Sequence, residues 1–140
     1  MSVNPVVVTK LIKASKQELF EAFTNPQIMS KWFYPDEDMS VEVSNTFHVG
    51  GGYVLKMHNK NGEVYTHIGE YMEISPPDKL VFSWNSDFVE NTVVSVTFSE
   101  KDGVTEVKVS HDLLPNDEMR ENHQGGWNGC LDRLKSTMSA

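Results

Sequence analysis

The chain has 140 residues, a length that fits one domain with a sizeable hydrophobic core. Its composition is 39% hydrophobic and 23% charged, which argues against a disordered, collagen-like or disulfide-stabilised chain. A net charge of -8 repels nucleic-acid phosphates and anionic lipid surfaces, so nucleic acid is not an expected partner.

The cellular compartment can be predicted from cysteine usage and from the N-terminus. The single cysteine, Cys130, cannot form an internal disulfide, which is typical of a reducing cytosol. The first residues lack the basic start and apolar stretch of a signal peptide. No window approaches the roughly 18 apolar residues that span a membrane. We therefore expect a cytoplasmic protein of one domain, residues 1–140, without membrane insertion.

The N-terminal third combines a strand with two short helices. The β-branched run Val6–Ile12 predicts a strand. Residues 15–18, Ser-Lys-Gln-Glu, have the S-x-x-E form of a capping box, so a helix should begin there. Asn25 followed by Pro26 is typical of an N-cap and first helical position, and predicts a second short helix to about Trp32.

From about residue 39 the apolar residues alternate with polar ones, which is the period of antiparallel strands. Asn61-Gly62 predicts a hairpin with a type I′ turn, because that turn needs positive φ at both central residues. Two further turns are indicated by Pro76-Pro77 and by Asp102-Gly103. The segment therefore predicts a meander of about six strands.

The chain ends in a predicted long helix that starts at Asn116, with Asp117 and Glu118 at the positive end of its dipole. Its apolar face is formed by residues at spacings of three and four, namely Met119, His123, Trp127, Leu131 and Leu134. This helix is the only large element left to cover one face of the sheet. The predicted fold class is α+β.

Three motifs carry a resemblance that covers nearly the whole chain. They are Phe-His-Val-Gly-Gly-Gly-Tyr at residues 47–53, the segment 69–84 that contains Ser-Pro-Pro-Asp, and an H-x-x-G-W-x-x-x-L-x-x-L pattern at residues 123–134. Together with Asn25-Pro26 and Trp32-Phe33, they resemble the START-like, or SRPBCC, superfamily. The resemblance is strongest to the homologues of the activator of heat-shock protein 90 ATPase.

The resemblance implies a helix-grip fold. In that fold a curved antiparallel sheet of about six or seven strands wraps the long C-terminal helix, two short helices follow the first strand, and a ligand cavity lies between sheet and helix. Family members bind or act on hydrophobic small molecules, and some bind protein partners. The resemblance therefore implies a lipid, polyketide or aromatic ligand, and leaves a chaperone or a second copy of the chain open as partner.

Strand parity predicts which side chains face the C-terminal helix and could contact a ligand. From the strands these are Tyr53, Leu55, Phe82, Trp84, Val96, Phe98 and His111. From the helix they are His123, Trp127 and Leu131, while Trp32 and Phe33 are expected to flank the opening. The alternative is that these side chains fill the core and leave no space for a ligand. Tyr65, His67 and Tyr71 share one face of the strand at residues 63–74. The sequence does not decide whether that face is concave or convex.

His111 and His123 are the predicted polar groups of the cavity. Each can be a histidine satisfied by a nearby carbonyl, or can bind a ligand or transfer a proton. The spacing of the five histidines and one cysteine matches no metal site, and no cofactor is expected. We expect a carrier or sensor. An enzyme of the cyclase, aromatase or hydrolase kind and a cochaperone-like interaction module are the alternatives.

The three glycines of the C-terminal helix also need an explanation. Gly125, Gly126 and Gly129 each cost about 1 kcal/mol relative to alanine inside a helix. Close packing of helix on sheet is the favoured explanation, and room for a ligand or a local kink in the helix are the alternatives.

Overall fold

The computed structural model describes residues 5–138. Within these residues the chain forms seven strands and three helices. In chain order these are β1 (Val6–Ile12), α1 (Lys16–Ala22), α2 (Pro26–Met29), β2 (Ser40–Asn45), β3 (Gly52–His58), β4 (Val64–Ser75), β5 (Lys79–Trp84), β6 (Thr92–Lys101), β7 (Val104–Asp112) and α3 (Asp117–Met138).

The seven strands form one antiparallel sheet in the order β1-β7-β6-β5-β4-β3-β2. The sheet curls into a half-barrel, and α3 lies on its concave side, where it packs against β1. Helices α1 and α2 carry the chain from β1 at one edge to β2 at the other. This arrangement confirms the predicted α+β class and helix-grip fold. Within residues 5–138 no helix is both long and apolar enough to cross a membrane.

The predicted helix starts are formed by side-chain caps. Ser15 and Glu18 make the reciprocal capping box, and each of its two backbone–side-chain bonds measures 3.1 Å. Asn116 caps α3 through a bond from the backbone N of Met119 to its Oδ1, at 2.9 Å. Helix α2 ends at Met29 rather than near Trp32, because the backbone N–H groups of Lys31 and Trp32 bond to the third preceding carbonyl instead of the fourth.

The β3–β4 hairpin is present, but the predicted type I′ turn is wrong. Only Gly62 has positive φ, at 87°, whereas Asn61 does not. A five-residue loop joins the strands, and Asn59 organises it. Its side-chain Oδ1 accepts from the backbone N of Asn61 at 2.9 Å and of Glu63 at 3.0 Å. The amide acceptor therefore replaces the second positive φ as the feature that closes this loop.

A two-residue turn of the type I′ kind occurs instead between β6 and β7. Asp102 and Gly103 have φ of 55° and 80°, and they connect the directly paired Lys101 and Val104. Positive φ at both central residues matches the twist of the flanking strands.

The predicted concave face of the sheet is confirmed, since all seven strand residues assigned to it are buried. They are Tyr53, Leu55, Phe82, Trp84, Val96, Phe98 and His111. The register also decides the face of β4. Leu55 is paired with His67 and Met57 with Tyr65, so these β4 side chains lie on the concave side.

Candidate functional site

A cavity of about 530 Å³ lies between α3 and the β3–β5 part of the sheet. Its walls come from three strands, from α3, from the segment after α2 and from the segment between β5 and β6. The lining residues are Phe33, Pro35, Asp36, Met39, Met57, Tyr65, His67, Trp84, Ser86, Phe88, Glu118, Met119, Asn122, His123, Gly126, Trp127 and Cys130. The volume is in the range of small-molecule sites.

Two buried polar atoms among the cavity-lining residues have no hydrogen-bond partner within residues 5–138. They are Nδ1 of His67 and Nε1 of Trp84, and the two rings lie 4.8 Å apart. Trp84 is only 4% exposed. Burial lowers the pKa of His67 to about 4, so its ring is neutral at pH 7. A buried polar group without a partner costs about 1–3 kcal/mol, so this pair is the least satisfied part of the cavity wall.

His111 is held in the core by a chain of hydrogen bonds that fixes its tautomer. The indole N–H of Trp127 donates to Nδ1 of His111 at 3.1 Å, so the proton of the neutral ring is on Nε2. That N–H donates to Oγ1 of Thr92 at 2.9 Å, and the hydroxyl donates to the carbonyl of Trp84 at 2.7 Å. Burial, assisted by the nearby His123 and His67, lowers the pKa of His111 to about 3.

His123 lines the cavity in the opposite tautomer. Its Nδ1 lies 2.7 Å from the carbonyl of Met119, and a carbonyl only accepts, so Nδ1 carries the proton. Burial lowers the pKa of His123, which leaves a lone pair on Nε2 near neutral pH. Its ring lies 5.0 Å from that of His111. His123 therefore has one nitrogen fixed by the helix and one able to accept a proton.

Other chemistry in the cavity wall is limited. Burial raises the pKa of Cys130 to about 12, so its thiol is not ionised near neutral pH. Within the described part of the chain, no group of three or more His, Cys, Asp or Glu side chains is placed to hold a metal ion.

The family model of the activator of Hsp90 ATPase homolog 1-like proteins matches residues 13–139. The chain belongs to this family. Among solved structures, a protein from Chromobacterium violaceum is 20% identical, with 99% of each chain covered and a TM-score of 0.89. The AHSA1 protein from Silicibacter pomeroyi is 21% identical, with coverage of 96% of this chain and 97% of that chain and a TM-score of 0.83. At these identities the structures support the fold alone.

A protein from Rhodobacter sphaeroides shares the same fold at 19% identity and a TM-score of 0.85, with 99% of this chain and 94% of that chain covered. A comparison with curated proteins gives no significant match. Membership in the AHSA1-like family places the chain on the ligand-binding helix-grip fold of the SRPBCC superfamily. The predicted chaperone or homodimer partner stays a prediction.

In this AHSA1-like chain the residues predicted to contact a ligand separate into three groups. Phe33, Trp84, His123 and Trp127 line the cavity. Tyr53, Leu55 and Phe82 line a crevice of about 10 Å³, which has room for no more than a water molecule. Trp32, Val96, Phe98, His111 and Leu131 are buried in the core and line neither.

Trp32 does not flank the opening, contrary to the sequence-based expectation. It is fully buried, its Nε1 donates to the carbonyl of Ala22 at 2.9 Å, and its ring stacks on Phe33 at 4.6 Å. Of the two roles considered for His111, the structure supports a histidine whose ring nitrogens are both hydrogen-bonded inside the core. Its partners are the side chains of Thr92 and Trp127 rather than a carbonyl.

Sequence reasoning left out the β4 side of the cavity, which Tyr65 and His67 form together with Met57 of β3. The signal was present, since Tyr65, His67 and Tyr71 alternate. It was not decisive because the opposite face of β4 carries the more apolar side chains, among them Val64, Ile68 and Met72. Only the pairing with β3 assigns the two faces.

The three glycines of α3 have three different surroundings. A Cβ on Gly125 would meet nothing within 4 Å, whereas one on Gly126 would only touch Cβ of Pro35 at 4.0 Å, beside the cavity. A Cβ on Gly129 would lie 2.1 Å from the carbonyl oxygen of Pro35. Close packing therefore explains Gly129, but the packed partner is a loop and not the sheet. Room beside the cavity explains Gly126.

Proposed function

We propose that this protein binds a hydrophobic or amphipathic small molecule in the cavity between α3 and the sheet, as a carrier or sensor. The observation that carries the proposal is the cavity itself, about 530 Å³ in volume and lined mainly by aromatic and methionine side chains. An apolar wall with a few polar groups is typical of sites that enclose a small molecule and orient it.

The apolar wall suits ligands of variable shape. Aromatic rings form its rigid part, with Trp84 and Trp127 5.5 Å apart and Phe33 stacked on Trp84 at 6.1 Å. Met57 and Met119 provide flexible, polarisable side chains that can repack around a bound molecule. This combination supports binding of a lipid, polyketide or aromatic compound.

The rim of the cavity carries an apolar side chain that is exposed to solvent. Phe88, between β5 and β6, is 63% exposed and also lines the cavity. A large exposed aromatic side chain at an entrance gives an apolar ligand a first contact before it enters. This placement supports a carrier or sensor that exchanges its ligand with the surroundings.

Filling the cavity from Gly126 is expected to abolish ligand binding. The Cβ of a leucine at this position makes no steric clash, and the rest of its side chain occupies the cavity. Native mass spectrometry with a panel of fatty acids, sterols and aromatic polyketides should show a bound species for the wild type and none for Gly126→Leu.

The matched control is Gly125→Leu, because Gly125 lies in the same helix but faces open space. This variant should retain the bound species. If the wild type binds no member of the panel, or if Gly126→Leu binds as the wild type does, the proposed function is wrong.

A proton-transfer enzyme is the second candidate, and the tautomer of His123 favours it. Nε2 of His123 keeps a lone pair at neutral pH, as a general base requires. Deuterium exchange next to the carbonyl of a bound aromatic ketone, followed by mass spectrometry, tests this role. His123→Gln should slow the exchange roughly a hundredfold, the usual contribution of a general base. Exchange at the same rate in wild type, variant and buffer would exclude catalysis by His123.

A further inference from the structure

Trp84, a residue that lines the cavity, carries a hydrogen-bond donor without a partner among residues 5–138. We propose that the ligand is uncharged and that a carbonyl-type oxygen in it accepts a hydrogen bond from Nε1 of Trp84. This inference rests on the proposed function, since it specifies the ligand class of the same cavity.

The three tryptophans differ in the use of their indole N–H groups. Trp32 donates to the carbonyl of Ala22 and Trp127 donates to Nδ1 of His111, whereas Nε1 of Trp84 has no partner among the described residues. An indole nitrogen only donates, so its missing partner has to be an acceptor. Because Trp84 is buried and lines the cavity, a bound molecule is well placed to supply that acceptor.

His67 adds a second unused polar atom next to the first. Its ring lies 4.8 Å from that of Trp84, and its Nδ1 also lacks a partner among residues 5–138. A carbonyl oxygen has two lone pairs. It can therefore accept from Trp84 and, when the proton of the neutral His67 ring is on Nδ1, from His67 as well.

The charges around the cavity favour an uncharged ligand over an anion. Asp36 and Glu118 are the carboxylates in the lining, and no lysine or arginine is among the described lining residues. His67 and His123 are neutral near pH 7, because burial lowers the pKa of both. A carboxylate or sulfonate would thus enter without a counter-charge, which is unfavourable in a buried site. Ketones, quinones, esters and amides supply the acceptor without the charge.

The ligand reaches Nε1 of Trp84 through a small side-chain adjustment. Less than 1 Å² of this atom is accessible. Met57 and Met119 line the same cavity, and methionine side chains change rotamer at low energetic cost. The proposed hydrogen bond therefore forms after neighbouring side chains move, without a change in the sheet or in α3.

Indole resonances give a direct test on the intact protein. Proton–nitrogen correlation spectra contain one indole signal per tryptophan, which single Trp→Phe variants assign. Addition of prodan, an uncharged naphthalene ketone, should move the Trp84 signal downfield and slow its exchange with solvent. The Trp32 and Trp127 signals, already hydrogen-bonded, should move far less and serve as internal controls.

The matched probe is the analogue of prodan in which a propyl group replaces the propionyl group. The wild type should bind the ketone about tenfold more tightly than this analogue, and Trp84→Phe should remove the difference, since one hydrogen bond accounts for about that factor. Trp127→Phe should weaken both probes to a similar degree and keep the ratio. Anionic anilinonaphthalene sulfonate should bind more weakly than prodan.

The outcomes separate this inference from the proposed function. If both uncharged probes bind equally well and the Trp84 signal does not shift, the inference is wrong while the proposed function stands. Tighter binding of the sulfonate than of prodan also overturns the inference. If neither these probes nor any member of the native mass spectrometry panel binds, both fail.

Discussion

Gly129→Ala is expected to destabilise the protein by about 2–3 kcal/mol, the upper range for overpacking a close contact. The new Cβ would lie 2.1 Å from the carbonyl oxygen of Pro35 and 3.3 Å from its Cα. Both are backbone atoms, so no side-chain rotation relieves the contact. The loop is also tied to α3 by Arg133, whose guanidinium lies 4.6 Å over the Tyr34 ring and donates to the Tyr34 carbonyl. Relief therefore requires that helix and loop separate.

Gly125→Ala is the matched control, with the same substitution four residues earlier in the same helix. Nothing lies within 4 Å of the added Cβ, so the variant should be stabilised by about 1 kcal/mol through helix propensity. Urea unfolding of the two variants and the wild type measures both effects. Equal stability of Gly129→Ala and Gly125→Ala would show that the Pro35 contact does not restrict α3.

The architecture could be predicted from sequence because its signals are local. Alternation of apolar residues gave the concave face, and the capping box at Ser15 and the cap at Asn116 gave the helix starts. The packing of one helix on one sheet then follows, since each has a single apolar face to bury. Trp84, His123 and Trp127 were found in this way, as apolar or amphipathic residues on those faces. Phe33 was expected separately, at the opening of the cavity, and it does line the cavity.

The remaining parts of the site depend on contacts between distant segments. His67 belongs to the cavity because β4 pairs with β3 in one particular register. Gly129 is needed because Pro35 approaches it from a loop that is distant in sequence. His111 looked like a cavity residue, but its position opposite Trp127 and Thr92 satisfies both ring nitrogens inside the core. Periodicity assigns a side chain to a face, but not to a cavity or to a filled core on that face.

Acidification is expected to destabilise the protein through its buried histidines, well before most carboxylates titrate. The pKa of His111 is about 3 and that of His67 about 4 in the folded state, both lowered from 6.5 mainly by burial. Below pH 6.5 the unfolded chain therefore binds protons that the folded protein does not. The contribution of these neutral histidines to the free energy of unfolding is fully present above about pH 6.5. It is lost as the pH falls toward the folded-state pKa values.

Between about pH 8 and about pH 5, each of the two histidines is expected to lower the free energy of unfolding by about 2 kcal/mol. The reason is that each proton bound only by the unfolded chain changes this free energy by about 1.36 kcal/mol per pH unit. Urea unfolding at a series of pH values measures it. His111→Gln should reduce the pH dependence by about 2 kcal/mol, as should His67→Gln, and the double variant by about twice as much.

Stability at pH 8 distinguishes the two histidines. His111→Gln disturbs the partners of Trp127 and Thr92 and should cost about 1–3 kcal/mol, because buried polar groups lose their bonds. His67→Gln removes a ring nitrogen that has no partner among residues 5–138, so its cost should be smaller. If both variants lose equal stability at pH 8 and keep the wild-type pH dependence, neither histidine is held neutral by burial. In that case the hydrogen-bond chain through His111 would not organise the core beneath the cavity.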